Sequence, residues 1–323
     1  MPEFALGREQ VEDIDRTLTD LDERGSDVEL RFTNHWADEG DNAALLAAAL
    51  MGPLSDRHVF VNAEDEDAVD GLLRFGVATA LSRREAHLTT FVGPAARLDT
   101  PTLRLLWTPG SRGTTQAMFR PDDDSDAVDS YGPLHATFVN PHLSSGADGH
   151  PDVVFLVRRW LTRRLRHDHG MSSHEVEGVV AAVGLVVDEL VSNVQEHASG
   201  GGLTDPDCLM RLSIKAREQV RISILDTGVG LDASLREKVA SDVPAECRIP
   251  KLLAGVLPGW DAGRGIGLPR VASVVSAHAG RLSVASEALR VVREDDTTAA
   301  RSDAFPLQGT VIDCTIPTAA SPV

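Results

Sequence analysis

The chain has 323 residues, 49 of them acidic and 31 basic, for a formal charge of −18, and it is 42% hydrophobic but only 4% aromatic. That length suggests two domains, and the apolar fraction is ample for burying their cores, which argues against wholesale disorder. So large an acidic excess excludes non-specific binding to nucleic acid or to an anionic membrane, because such binding rests on Lys and Arg; a phosphate-bearing ligand would have to be met by local backbone donors or by a metal.

The first half reads as alternating strands and helices. Asp27–Phe32 and His58–Ala63 have strand character, while DNAALLAAALMGPL and EDAVDGLLRFGVATALSRR are apolar at helical spacing, so an α/β layer is expected. LTTFVG, LRLLW and ATFVN follow, with the acidic run Asp122–Asp129 between the last two. That run lacks the alternation and closing Glu of a calcium loop and reads as solvated. Residues 1–150 hold 27 acidic and 12 basic side chains, the remainder 22 and 19, and the Gly, Pro, Ser and Asp of NPHLSSGADGHPD place a boundary near residue 150.

Beyond it, Val153–Arg166 is a basic amphipathic segment, and a long helical pattern runs from His174 to about Ala198. His167, His169 and His174 cluster in sequence but have no carboxylate or cysteine at ligand spacing, so a helix end is the reading favoured over a metal site. In the long helix Glu189, Asn193 and His197 recur every fourth residue and share one face, beside the apolar stripe of Val183, Leu190, Val191 and Val194. Two strands, CLMRLSIKA and VRISILD, come next. In the second, Val220, Ile222, Ile224 and Asp226 have one parity, which puts a carboxylate at the end of a core-facing row, where it is costly unless something donates to it. Thr227-Gly228-Val229-Gly230 then allows close backbone approach. Gly263, Gly265 and Gly267 lead into a helix opened by Pro269 and closed by Gly280, and such a junction favours anions. A terminal strand, Gly309–Pro317, closes the pattern.

The three cysteines, Cys208, Cys247 and Cys314, are too scattered for a disulfide framework or a zinc cage. The opening MPEFALGREQVEDIDR has no signal-peptide character, and the longest apolar run, Val179–Val187, is too short to span a bilayer. A soluble, cytoplasmic protein is the expectation.

Taken together, ELVSNVQEH, DTGVG, GRGIGL and the GT before the last strand resemble, in order and spacing, the N box and glycine boxes of the GHKL ATPase domain, the Bergerat fold of gyrase-type topoisomerases, Hsp-class chaperones, histidine kinases and MutL. The resemblance implies an α/β sandwich over residues 151–320, with a mixed sheet covered by helices on one face, and ATP with Mg2+ as ligands. It implies that Asn193 holds the magnesium, that Glu189 is the general base or water-orienting residue, and that Asp226 accepts from the adenine amino group with Thr310 beside it. Gly228 and Gly230 would let the purine approach, and Gly263, Arg264, Gly265, Ile266, Gly267 and Leu268 would surround the phosphates. His197 matches a position often occupied by His, and Leu231–Ala262 would be a mobile nucleotide lid.

The sequence RLRHDHGMSS does not reproduce a histidine-kinase H box, and no transducer domain follows Pro317 as gyrase and MutL-like enzymes require. The form of the domain looks more like the anti-sigma-factor type of serine kinase. Residues 1–150 resemble a STAS-like α/β module, although Ala37–Asn42, at the usual phosphoacceptor stretch, has no hydroxyl. Three functions are therefore weighed: an ATP-binding regulator that phosphorylates Ser or Thr on an anti-anti-sigma-like partner, an ATPase conformational switch, and a non-catalytic nucleotide-binding scaffold. The acidic N-terminal domain is the expected docking surface for a protein partner. A homodimer through Val153–Arg166 is left open, and neither nucleic acid nor membrane is expected as a partner.

Overall fold

A computed structural model describes residues 3–6, 14–23, 27–33, 40–66, 68–69, 72, 77–83, 86–98, 135–139, 153–167, 171–197, 207–215, 218–239, 243–258, 267–295 and 297–318. Four parallel strands, β1 (Glu3–Leu6), β2 (Val28–Phe32), β3 (Val59–Ala63) and β4 (Thr89–Phe91), pair in sequence order. Helices α1 (Ile14–Glu23), α2 (Gly40–Met51) and α3 (Val77–Arg83) connect them. The alternation read from DVELRF and HVFVNA has its counterpart in burial: Val28, Leu30 and Phe32, and Val59, Val61 and Ala63, point into one core.

The second sheet has seven strands in the order β10-β9-β8-β11-β7-β6-β5. They are β5 (His135–Val139), β6 (Cys208–Lys215), β7 (Gln219–Asp226), β8 (Arg281–Glu287), β9 (Leu289–Glu294), β10 (Thr297–Arg301) and β11 (Leu307–Pro317). Every neighbouring pair is antiparallel, where the resemblance implies a mixed sheet. The physical reason is connectivity: β6–β7 and β8–β9–β10 are joined by short connections that reverse the chain. Strand β5 precedes residue 150 yet pairs with β6.

One face of this sheet carries α4 (Val153–His167), α5 (Ser173–His197), α6 (Leu231–Lys238), α7 (Ala245–Leu253) and α8 (Gly267–Ala277). Helix α5 is the spine. Ser172 and Glu175 form a capping box at its start, the Ser172 N–H and hydroxyl donating to the Glu175 carboxylate at 2.9 and 2.6 Å. Val176, Val179, Val183, Val186, Val187, Leu190 and Val194 are all buried along it, at helical spacing. Fully burying one such side chain is worth about 1.5–3 kcal/mol.

The opposite face is covered too, by a helix from the first half of the chain. Helix α2 packs on β7 and β11, and Leu209, Leu225, Ala285 and Val311 of the sheet share one core with it. This explains the composition of DNAALLAAALM. Every residue from Asn42 to Leu50 is buried, so the helix has no solvent face to be polar on, and its alanines let neighbouring layers approach. At the rim, the buried Asp15 carboxylate accepts the Phe305 N–H at 3.1 Å and pairs with Arg290 and Arg301, each at 3.5 Å. Further along this face Arg221 Nε donates to both Asp313 carboxylate oxygens, at 3.0 and 2.9 Å, and the Ser223 hydroxyl donates to the same group.

Helix α8 ends in a Schellman motif, with Gly280 N–H on Val275 O and Ala279 N–H on Ser276 O. The left-handed residue is Ala279, at φ 51°, and not Gly280. Gly280 is needed for space, since a Cβ there would overlap the Thr315 carbonyl oxygen of β11. Among the described residues no helix is long and apolar enough to cross a membrane.

Candidate functional site

Sheet, spine helix and the start of α8 converge on one cleft of about 450 Å³. Asn193 from α5, Asp226 from the end of β7, Gly230, Leu268 and Thr310 line it. Its apolar walls are Leu190, Val194, Ile224, Leu231 and Ile312, with Ser234 among them. Four sequence segments separated by up to more than a hundred residues thus meet in one place.

Asp226 is 7% exposed. Burial pushes its carboxyl from 3.8 up to about 6, against the opposing pull of the backbone N–H groups of Gly228 and Thr310. The Gly228 N–H donates to Oδ1 at 2.8 Å. Thr310 lies opposite Asp226 in the β11–β7 register, and its hydroxyl accepts the Leu231 N–H at 2.9 Å. The Ser286 hydroxyl donates to Gly309 O at 3.3 Å and accepts the Asp232 N–H at 3.2 Å, so the turn after β7 is tied to the two strands beside it.

Two glycines make this crossing possible. Gly230 has φ 87°, and a Cβ on it would lie 3.0 Å from Ser286 Oγ and 3.1 Å from Gly309 O. Gly309 has φ 83°, and a Cβ there would overlap the Asp226 carbonyl oxygen. Gly309→Ala is therefore expected to destabilise the fold by about 3 kcal/mol, combining left-handed strain with a backbone clash, and to displace Asp226. Urea unfolding measures the first effect, and an unchanged midpoint would contradict it.

Across the cleft, Asn193 Nδ2 is buried with no hydrogen-bond partner among the described residues. A Cβ on Gly267 would lie 3.0 Å from Glu189 Oε2 and 3.1 Å from Asn193 Oδ1, so the first residue of α8 runs hard against this pair. Glu189 is 17% exposed, and its Oε1 takes the Arg270 guanidinium at 2.8 Å.

The structure thus brings together Glu189, Asn193, Asp226, Gly228, Gly230, Gly267, Leu268 and Thr310. Gly263, Arg264, Gly265 and Ile266 lie outside the described residues, as do the side chain of His197, the acidic run Asp122–Asp129 and His169. His174 is exposed in the first turn of α5. Ile224 and Ile312 were legible as wall positions, two residues from Asp226 and Thr310 on the same strand faces. Ser234 and Arg270 carried no such signal.

Where it is described, at residues 231–239 and 243–257, the expected lid segment packs against the main core. Leu235, Val239, Val243, Ile249, Leu252, Leu253 and Leu257 are buried in the main core. Asp232 pairs with Arg236 at 2.9 Å and Arg248 at 3.2 Å, and Arg293 holds the Leu253 carbonyl at 3.0 Å. Apolar side chains at helical spacing over α6 and α7 have made this stretch part of the domain. Residues 259–266 lie outside the described residues.

Residues 178–320 match the model of the histidine kinase-, DNA gyrase B- and HSP90-like ATPase family. The match supports a GHKL-type domain over this stretch. Comparison with the curated proteins and with the solved structures returned no match. The GHKL family binds ATP, usually with Mg2+, and the residues of this cleft fit both. The buried Asp226 carboxyl lines the cleft, and the Asn193 amide has a polar atom without a partner among the described residues. Among the described residues no three His, Cys, Asp or Glu side chains cluster as a metal cage. A magnesium here would be held by one side chain and by phosphate oxygens, the manner in which that ion is commonly bound.

Proposed function

We propose that the protein is an ATP-dependent regulator that transfers the γ-phosphoryl group of Mg-ATP to a Ser or Thr hydroxyl of an anti-anti-sigma-like partner. The observation that carries the nucleotide part is the buried Asp226 in a cleft with largely apolar walls, with Asn193 on the facing helix. In this reading the adenine amino group donates to Asp226, Gly228 and Gly230 give the purine room, and Thr310 supports that end. Gly263, Arg264, Gly265, Ile266, Gly267 and Leu268 enclose the phosphates, where the N-terminus of α8 favours anions. Asn193 would hold a magnesium ion, whose charge would screen that of the phosphates. Glu189 takes the proton of the attacking hydroxyl as its oxygen bonds to the γ-phosphorus and the bond to the ADP oxygen breaks.

The N-terminal half, residues 1–150 in this proposal, is a STAS-like docking or regulatory module. Four parallel strands alternating with helices support the likeness. Its regulatory role is supported by α2, which packs behind β7 and β11, the strands that carry Asp226 and Thr310. Because Leu225 and Val311 touch that core while their neighbours line the cleft, a shift of α2 bears on the nucleotide site. The same packing favours a second reading, an ATPase switch that changes shape without phosphorylating a protein.

Calorimetry with Mg-ATP followed by γ-labelled ATP separates the readings. Label on a protein co-purified from the native host supports the kinase, free phosphate alone supports the switch, and binding without either leaves a scaffold. Absence of Mg-ATP binding would overturn all three.

A further inference from the structure

We propose that Arg270 is a positioning residue that aims the Glu189 carboxylate, an inference that rests on the reading of Glu189 as the base. Gly267 and Arg270 are three residues apart in the first turns of α8 and therefore share one face, the face turned to α5. Gly267 lets the helix backbone close onto Glu189 and Asn193, and Arg270 reaches across the same gap.

The two carboxylate oxygens of Glu189 are thereby distinguished. Oε1 is held by Arg270 Nη1 at 2.8 Å, while Oε2 lies at the Gly267 backbone, beside Asn193 and the proposed phosphate end of the cleft. A free glutamate side chain on a helix samples several rotamers, and a base must point at the proton it takes. A charge-assisted bond to one oxygen removes that freedom and leaves the other oxygen to work. Arg270 itself is 54% exposed and touches the reaction only through Glu189.

Steady-state turnover and Mg-ATP and Mg-ADP affinities of Arg270→Gln and Arg270→Lys test this. Loss of aim is expected to lower kcat by about 10- to 100-fold while both affinities stay within about threefold, because misplacement affects chemistry before binding. Lys, which retains the charge at a shorter reach, should recover part of the loss. In a Glu189→Gln background, Arg270→Gln should cost nothing further. An unchanged kcat in Arg270→Gln overturns the proposal, as does an equal loss in the Glu189→Gln background. A selective loss of ATP over ADP affinity overturns it too, since Arg270 would then be a direct phosphate ligand. If the wild-type chain binds Mg-ATP but never turns it over, the reading of Glu189 as a base fails first, and the role of Arg270 falls with it.

Discussion

Asp226→Asn is expected to weaken Mg-ATP binding by about 100-fold or more and, at the same pH, to make the empty protein more stable. The carboxylate can accept from Gly228, from Thr310 and from a ligand amine together. An amide has one oxygen, and its NH2 group must then face a donor. Leaving a buried donor unmatched in this way costs most of the recognition. The stability effect has the opposite sign. Desolvation raises the folded value from 3.8 to about 6, so between those values the folded state keeps a proton that the unfolded state has lost. Stability therefore falls as pH rises through that window and remains reduced above it, by about 3 kcal/mol for a shift of this size. Asn carries no such charge. Melting temperatures should coincide below about pH 3.8, diverge as pH rises from there to about 6 with the variant higher, and stay apart by a constant gap above it. Mg-ATP affinity of the wild type should in turn weaken as pH falls through about 6, when the acceptor is protonated. A variant that melts below the wild type at about pH 8 would show that Asp226 is a structural carboxylate and not a group held ready for a ligand.

Glu189→Gln is expected to lower turnover by about 10²- to 10⁴-fold, with Mg-ATP affinity within about threefold of wild type. The amide has nearly the same shape and retains an oxygen for Arg270, so the α5–α8 contact survives. What disappears is the capacity to take a proton. Label transfer and phosphate release, measured beside calorimetry, read the two effects separately. Equal losses in affinity and turnover would place Glu189 in ligand binding, and unchanged turnover would remove it from the chemistry.

Much of the C-terminal half was legible because its signals are local. Steps of four on α5 put Glu189 and Asn193 on one face, the parity of β7 carried Asp226 into a core-facing row, and Thr310 came from the resemblance of the GT before the last strand to a family box. No element was expected over 281–301, which forms β8, β9 and β10. Its core-facing residues are interrupted by Ser283, Ser286 and Arg290, so apolar alternation is weak there although Ser283 and Ser286 are buried. Gly280 was read as the left-handed cap, yet Ala279 takes that conformation because Gly280 is claimed by the approach to Thr315.

By itself the sequence determined which side chains belong to one face of each helix or strand, since periods of 3.6 and 2 are properties of the local backbone. It also set the alanine-rich character of α2 and the glycines where two backbones cross. Only the tertiary structure decided what each face meets. It placed α2 behind β7 and β11, packed α6 and α7 into the core, and joined Arg270 to Glu189 across 81 residues of chain. Periodicity reports that a surface must be covered; the covering partner is chosen by packing among elements distant in sequence, and that choice has no local signature.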